Sequence, residues 1–173
     1  MMATSYRILV MGVSGSGKSH IGRLLAESLG VDFIDGDGYH SPGNIDKMGR
    51  GVPLTDADRQ VWLDTLAGLL DEHRRRNESV VIACSALKAR YRDMLRQGDP
   101  ALAILYLRGG RDLLLERLST RRGHFFKGDS MLDSQLADLE PPDDDEALGL
   151  DISLPPETIA GEFVLWLRQH EMP

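Results

Sequence analysis

Short, continuously apolar runs alternate along this chain with segments whose apolar residues recur at helical spacing. The apolar runs predict four buried strands and a fifth candidate, at residues 7–11, 31–34, 80–84, 101–107 and 150–153. Strands that are apolar at every position are typical of parallel sheets covered on both faces. The pattern therefore predicts an α/β protein with a central parallel sheet, in which ligands bind at the carboxyl ends of the strands.

Amphipathic segments between these runs predict the helices. A first helix should run from Lys18 to a glycine cap at Gly30, and a later one should open with the capping pair Thr55 and Asp58. Further helices are predicted at residues 86–96, 112–122, 132–139 and 155–169. Residues 38–54 are rich in Gly and Pro and should be irregular or partly helical, and residues 123–129 should form a mobile loop.

Composition narrows the classes of partner. The 173 residues suit a single domain over residues 1–173, and the net charge of −7 argues against general nucleic-acid or membrane-surface binding. An anionic ligand must then be met by a local cluster of Arg or Lys. Cys84 is the single cysteine and lies in an apolar run, which excludes an intramolecular disulfide and favours a buried side chain. Without a signal-peptide pattern or a membrane-spanning run, a cytoplasmic protein is expected.

The strongest motif follows the first predicted strand and fits the phosphate-binding pattern G-x-x-x-x-G-K-[ST] at every fixed position. Its residues, predicted to bind a nucleotide, are Gly12, Val13, Ser14, Gly15, Ser16, Gly17, Lys18 and Ser19. Glycines let successive backbone N–H groups turn inward, and the helix that follows adds its positive end. Lys18 should reach the β- and γ-phosphates of ATP, and the Ser19 hydroxyl should coordinate Mg²⁺.

A GTPase switch protein is the alternative that this loop leaves open. Such proteins usually carry an Asn-Lys-x-Asp motif that reads guanine. Neither Asn44 nor Asn77 is followed by Lys, and the sequence therefore favours a kinase.

Two carboxylates, Asp35 and Asp37, follow the second predicted strand. Phosphoryl transfer needs a group that orients or deprotonates the attacking hydroxyl. One carboxylate could face the Mg²⁺ shell and the other the acceptor hydroxyl, although an Asp-Gly-Asp turn would explain the same residues.

Basic residues gather in the middle of the chain and suggest an anionic acceptor. They are His40, Lys47, Arg50, Arg59, Lys88, Arg90 and Arg92. Solvated helix faces would account for some of them, and His40 could equally be a structural hydrogen-bonding residue. Further along, Arg117 and Arg121 share a helix face that leads into the polar loop. They could neutralise the transferring phosphoryl group from a closing lid, at about residues 122–131, or simply complement the helix dipole.

In these segments the sequence resembles the small gluconokinases, which are relatives of shikimate and adenylate kinases. The resemblance is carried by the phosphate-binding motif, by Arg117 and Arg121, and by segments at residues 35–40, 44–48, 51–59, 62–63, 84–88, 91–92, 124–126, 134–135 and 139–140. It implies a three-layer α/β/α P-loop kinase fold with a five-stranded parallel sheet and a mobile lid.

The resemblance also implies an activity: transfer of phosphate from Mg·ATP to the C6 hydroxyl of D-gluconate, which feeds the pentose phosphate or Entner–Doudoroff route. Another sugar acid or a shikimate-like acceptor is the alternative. It implies catalytic roles for Lys18, Asp37 and Arg121, nucleotide contacts from Arg117 and Arg121, and Mg²⁺ ligation by Ser19 and Asp35. Substrate contacts are implied for Asp37, His40, Arg50, Lys88 and Arg92. The family is often dimeric, and a homodimer is compatible with the resemblance.

Overall fold

Five parallel strands form the central sheet in the computed structural model, which describes residues 4–122 and 128–170, with only the backbone described at residues 120–122, 128 and 129. The strands are β1 (Arg7–Met11), β2 (Asp32–Asp35), β3 (Val80–Ala83), β4 (Ala103–Arg108) and β5 (Leu148–Asp151). Their order is β2-β3-β1-β4-β5, and every neighbouring pair is parallel. The predicted five-stranded parallel sheet is therefore confirmed.

Seven helices lie in the described part of the chain. They are α1 (Lys18–Leu29), α2 (Pro42–Gly49), α3 (Asp56–Arg75), α4 (Ala89–Arg96), α5 (Arg111–Arg122), α6 (Gly128–Asp138) and α7 (Pro156–Gln169). The predicted capping pair of α3 is present, because Thr55 and Asp58 accept hydrogen bonds from each other's backbone N–H groups. A single turn of 3-10 helix, Gly36–Tyr39, follows β2.

Each face of the sheet packs against its own set of helices. In β1, Ile8 and Val10 join a cluster formed with α1, α5, α6 and α7. Leu9 and Met11, which alternate with them, join a second cluster formed with α3 and α4. Successive side chains of a strand point to opposite faces, so β1 is buried on both sides. The architecture is the three-layer α/β/α arrangement expected.

Some element boundaries differ from the sequence prediction. Helix α4 begins at Ala89, three residues later than predicted, because Ala86 has a φ of 46° and Lys88 is still extended. Strand β5 begins at Leu148, two residues before the predicted start, since Leu148 already pairs with Leu105 of β4. Residues 38–54 are partly helical, as predicted, through α2. Of the predicted mobile loop, residues 123–127 lie outside the described residues, and Gly128 already begins α6.

Cys84 is fully buried, as predicted, and burial raises the pKa of its thiol to about 12. Within residues 4–122 and 128–170, no helix combines the length and apolar character needed to cross a membrane.

Truncating the apolar face of α7 should destabilise the protein. Phe163 is fully buried and Leu165, two residues away, is 55% exposed. Phe163→Ala should lower the free energy of unfolding by about 3–5 kcal/mol because it removes buried apolar atoms and leaves a cavity. Leu165→Ala, the matched control, should change it by less than about 0.5 kcal/mol. Urea unfolding followed by circular dichroism measures both, and equal effects would contradict the packing described for α7.

Candidate active site

A glycine-rich turn, hereafter the phosphate loop (residues 12–19), joins the carboxyl end of β1 to the start of α1. Gly15 and Gly17 have φ values of 85° and 92°, which favour glycine. A Cβ on Gly15 would lie 2.9 Å from Leu118 Cγ, and a Cβ on Gly12 would lie 2.6 Å from Ser16 Oγ. The turn can therefore be this tight only because glycine occupies these positions.

The start of α1 is suited to bind an anion. Its N-cap residue is Gly17, which offers no side-chain cap, and its first turn contains no acidic residue. The backbone N–H groups of that turn and the helix dipole therefore favour negative charge there. The buried Ser16 Oγ has no hydrogen-bond partner among the described residues. These features fit the phosphates of a nucleotide.

Ser19 and Asp35 are brought together by the fold. Ser19 Oγ donates a hydrogen bond of 3.3 Å to Asp35 Oδ2, although the two residues belong to α1 and β2. A hydroxyl and a carboxylate side by side are the oxygen ligands that Mg²⁺ prefers. The pair fits the predicted metal site next to the phosphate loop.

Asp37 lies on the turn after β2 and is exposed. Its backbone N–H donates to Asp35 Oδ1 at 3.1 Å, so the two carboxylates are tied to one turn. Trp62 Nε1 donates to Gly36 O at 2.7 Å and anchors that turn to α3. Asp35 also pairs in register with Ala83, the last residue of β3, so the two carboxylates lie beside the carboxyl end of that strand.

His40 is buried and held in one tautomer. Its ring stacks on Trp62 with 3.9 Å between centroids, and its Nδ1 lies 3.3 Å from Asn44 Nδ2. The same Nδ2 donates to Asp58 O at 2.8 Å. A carbonyl can only accept, so this atom of Asn44 must be the amide nitrogen. Nδ1 of His40 is therefore the acceptor, and Nε2 carries the proton.

Burial is the largest cause of the lowered pKa of His40. The Asp37 carboxylate acts in the opposite direction, and the Arg59 guanidinium lowers the pKa further. At neutral pH, His40 is therefore an uncharged hydrogen-bond donor through Nε2.

The predicted acceptor-binding cations have different surroundings. Lys88 Nζ lies 3.7 Å from Asp56 Oδ1 and 5.7 Å from the centre of the Tyr91 ring. Arg50 is largely exposed and forms an ion pair of 3.0 Å with Asp46, one helical turn away. For both residues the substrate contact stays a prediction.

The geometry of Arg92 opposes the predicted substrate contact. Its side chain is 1% exposed and is surrounded by protein acceptors. The guanidinium donates to the carbonyl oxygens of Ala86, Leu87 and Glu140 and to both carboxylate oxygens of Glu146. These bonds use all five N–H groups of the side chain. Arg92 is therefore part of the internal structure, and its guanidinium has no N–H group left for a substrate.

The predicted lid arginines are described only in part. Arg117, on α5, donates from Nη2 to Ile152 O at 2.6 Å. The side chain of Arg121 and residues 123–127 lie outside the described residues. Their roles at the nucleotide stay predictions.

Gln135 makes a contact that residue types and spacing did not indicate. Its Oε1 accepts a hydrogen bond of 2.7 Å from the backbone N–H of Ser14, in the phosphate loop. Only the family resemblance had drawn attention to this residue. A glutamine on a polar helix gives no other signal, because its partner lies 121 residues away.

A phosphate loop beside a hydroxyl–carboxylate pair, at the edge of a parallel sheet, defines the class of P-loop phosphotransferases. The comparisons with known proteins agree with that class. A family model described as an AAA domain matches residues 8–142.

The most informative relatives are gluconokinases. The thermoresistant gluconokinase of Escherichia coli (strain K12) is 43% identical over 158 residues, which cover 90% of this chain and 90% of that protein. The crystal structure of a gluconokinase from Sinorhizobium meliloti 1021 has a TM-score of 0.87 at 42% identity and covers 97% of this chain and 94% of its own. A sugar kinase from Janibacter sp. HTCC2649 gives a TM-score of 0.88 at 44% identity, covering 95% of both chains. This chain belongs to the gluconokinase family.

The stability of the protein should depend on the protonation of His40. In the folded protein the pKa of His40 lies below its ordinary value of 6.5. As the pH falls, the unfolded chain therefore binds the proton before the folded protein does. Stability should decrease as the pH is lowered through 6.5 and towards the folded pKa. His40→Gln should reduce that decrease, measured as urea midpoints at about pH 7.5 and about pH 5.5. His20→Gln, at an exposed position of α1, is the control and should retain it. An unchanged slope in His40→Gln would contradict the burial of a neutral imidazole.

Proposed function

We propose that the protein transfers the γ-phosphoryl group of ATP to the C6 hydroxyl of D-gluconate, giving 6-phospho-D-gluconate. The observation that carries this proposal is the 3.3 Å contact between Ser19 and Asp35, with Asp37 bonded to the same carboxylate group. This contact brings the phosphate loop, the two side chains proposed to bind Mg²⁺ and a second carboxylate together. The gluconokinase relatives support the choice of gluconate.

The donor side of the reaction belongs to the phosphate loop. Its backbone N–H groups and Lys18 would bind the β- and γ-phosphates. Ser19 and Asp35 would hold Mg²⁺, which neutralises charge on the phosphate oxygens when bound. Arg117 and Arg121 are proposed as further nucleotide contacts, with Arg121 stabilising charge on the transferring group.

Asp37 is the proposed base. Its carboxylate is exposed at the strand edge, while Asp35 is occupied by Ser19 and by the Asp37 backbone. A carboxylate in that place can accept a hydrogen bond from the C6 hydroxyl and take its proton as the new O–P bond forms. Holding the hydroxyl in line with the γ-phosphate accounts for much of the rate in such reactions.

The rest of the acceptor would be recognised by His40, Lys88 and Arg50. His40 offers a neutral N–H donor through Nε2, which suits a hydroxyl of the sugar chain. Lys88 supplies a positive charge next to β3 and suits the gluconate carboxylate. Arg50 lies at the end of α2, where it could reach the same anion.

The proposed activity predicts ADP release with D-gluconate and Mg·ATP, measured by a coupled assay. Shikimate, glucose and AMP, tested in the same way, should give rates at least about tenfold lower, because a pocket that pairs its polar groups with one substrate discriminates strongly. Lys18→Ala, purified identically, is the control for contaminating kinases and should be nearly inactive. A gluconate rate no higher than that of buffer would overturn the proposal.

Asp37→Asn should separate chemistry from nucleotide binding. The amide cannot accept the hydroxyl proton, so kcat should fall about 10²- to 10⁴-fold, while the KM for ATP changes little. Asp32→Asn is the matched control, because Asp32 begins the same strand β2 with a largely exposed side chain. The control should retain the wild-type kcat. If Asp37→Asn also retained it, Asp37 would not be the base.

A further inference from the structure

We propose that Gln135 and Glu140 are positioning residues that hold the donor and acceptor sides of the site in a fixed relation. Residues 135–140, the bridging segment, comprise the end of α6 and the two residues after it. They contact both the phosphate loop and the loop after β3, residues 84–88, which we name the acceptor loop. The inference rests on the proposed function, since that assigns Lys88 to the acceptor.

The first contact of the bridging segment is with the phosphate loop. Gln135 Oε1 accepts the Ser14 N–H at 2.7 Å. This bond ties a backbone N–H group of the phosphate loop to helix α6, which is 121 residues away in the sequence. A shift of α6 would therefore be transmitted to the loop.

The second contact is with the acceptor loop and with helix α4, and it consists of three hydrogen bonds made by Glu140. Its N–H donates to Leu87 O at 2.8 Å, and its Oε1 accepts the N–H of Ala89 at 2.7 Å. Its carbonyl oxygen accepts from Arg92 Nη2 at 2.8 Å. Lys88, the N-cap residue of α4, provides no side-chain cap, so Glu140 caps α4 from outside.

The acceptor loop has a conformation that needs such support. Ala86 has a φ of 46° and is 1% exposed, a left-handed conformation that costs about 1–2 kcal/mol for a residue with a Cβ. Backbone strain persists only where the surrounding structure fixes it. Here Arg92 binds the carbonyls of Ala86 and Leu87, and Glu146 binds Arg92. Glu140 adds hydrogen bonds to Leu87 and Ala89, and we call Arg92, Glu146 and Glu140 together the frame of the acceptor loop. Lys88 lies between Leu87 and Ala89, at the start of α4.

Phosphoryl transfer requires the acceptor oxygen to be in line with the γ-phosphate, and a misplacement of about 1 Å can cost about 10²-fold in rate. The bridging segment joins the two loops that set this alignment. Its loss should therefore reduce kcat more than it weakens ATP binding.

Gln135→Met and Glu140→Met remove the two acceptors with little change in size. Each should lower kcat about tenfold with the KM for ATP within about twofold, consistent with loss of alignment. Glu140→Gln keeps an oxygen that can accept the Ala89 N–H and should recover most of the lost rate. Ser134→Ala, at an exposed position of the same helix, is the control and should match the wild type.

A structural role alone would have another signature. Rates that fall only in proportion to the folded fraction, measured by urea unfolding, would overturn the proposal. So would a Glu140→Gln variant as impaired as Glu140→Met. If Glu140→Met does not fold, Gln135→Met carries the test through its kcat and its KM for ATP.

Amide hydrogen exchange tests the coupling between the phosphate loop and the acceptor loop without any sugar acid present. A non-hydrolysable Mg·ATP analogue should slow exchange in both the phosphate loop and the acceptor loop of the wild-type protein. In Gln135→Met, protection should remain in the phosphate loop and be lost in residues 84–92. Equal protection of both loops in this variant, or none of the acceptor loop in the wild type, would overturn the positioning role. If the analogue protects both loops of the wild-type protein but the protein does not phosphorylate gluconate, only the proposed function is overturned.

Discussion

Strand β1 lies at the centre of the sheet, hydrogen-bonded to β3 on one side and to β4 on the other. The register places Val10 of β1 opposite Ala83 of β3, and Ala83 opposite Asp35 of β2. Because all three strands are parallel, their following loops emerge at one edge. The Ser19–Asp35 contact depends on this register, since a shift of one residue would turn every side chain of a strand to the other face.

Two glycines then let the loops approach that edge closely. A Cβ on Gly12 would lie 2.9 Å from Leu107 O, and a Cβ on Gly36 would lie 2.6 Å from Ala83 O. Any other residue would push the phosphate loop away from β4, or the Asp37 turn away from β3. The parallel sheet thus brings the phosphate loop and the turn after β2 to one edge. The absence of a side chain at Gly12 and Gly36 lets these two segments pack directly against the neighbouring strands.

Much of this arrangement could be predicted from the sequence, because its signals are local. Continuous apolar runs indicated the three central strands, β1, β3 and β4, and the phosphate-binding motif placed Lys18 and Ser19 after the first of them. The start of α4 was predicted wrongly because Ala86 adopts a left-handed backbone conformation. An alanine gives no sign of this conformation in the sequence, whereas a glycine at that position would have suggested a break. The contact between Gln135 and Ser14 was beyond prediction for a different reason: it joins positions 121 residues apart through a backbone group that every residue has.

The cations show how charge is used in this acidic protein. In the sequence, the basic residues between His40 and Arg92 look like one anion-binding cluster. In the structure, much of their charge is neutralised internally. Lys47 binds Asp58 at 2.8 Å and, as the largest cause, lowers the pKa of that carboxyl to about 2. Arg90 binds Asp56, and Arg92 is enclosed by Glu146 and backbone carbonyls.

These pairs lie in the loops and helix ends that are proposed to form the acceptor side, and they leave fewer positive charges for recognition of an anion. A buried guanidinium with five acceptors fixes backbone geometry, because removing it would leave the buried Ala86 carbonyl without the hydrogen bond that Arg92 donates. Specificity for a sugar acid would then depend less on the number of cations than on where the frame around Arg92 places Lys88, relative to a neutral His40 and the Asp37 carboxylate.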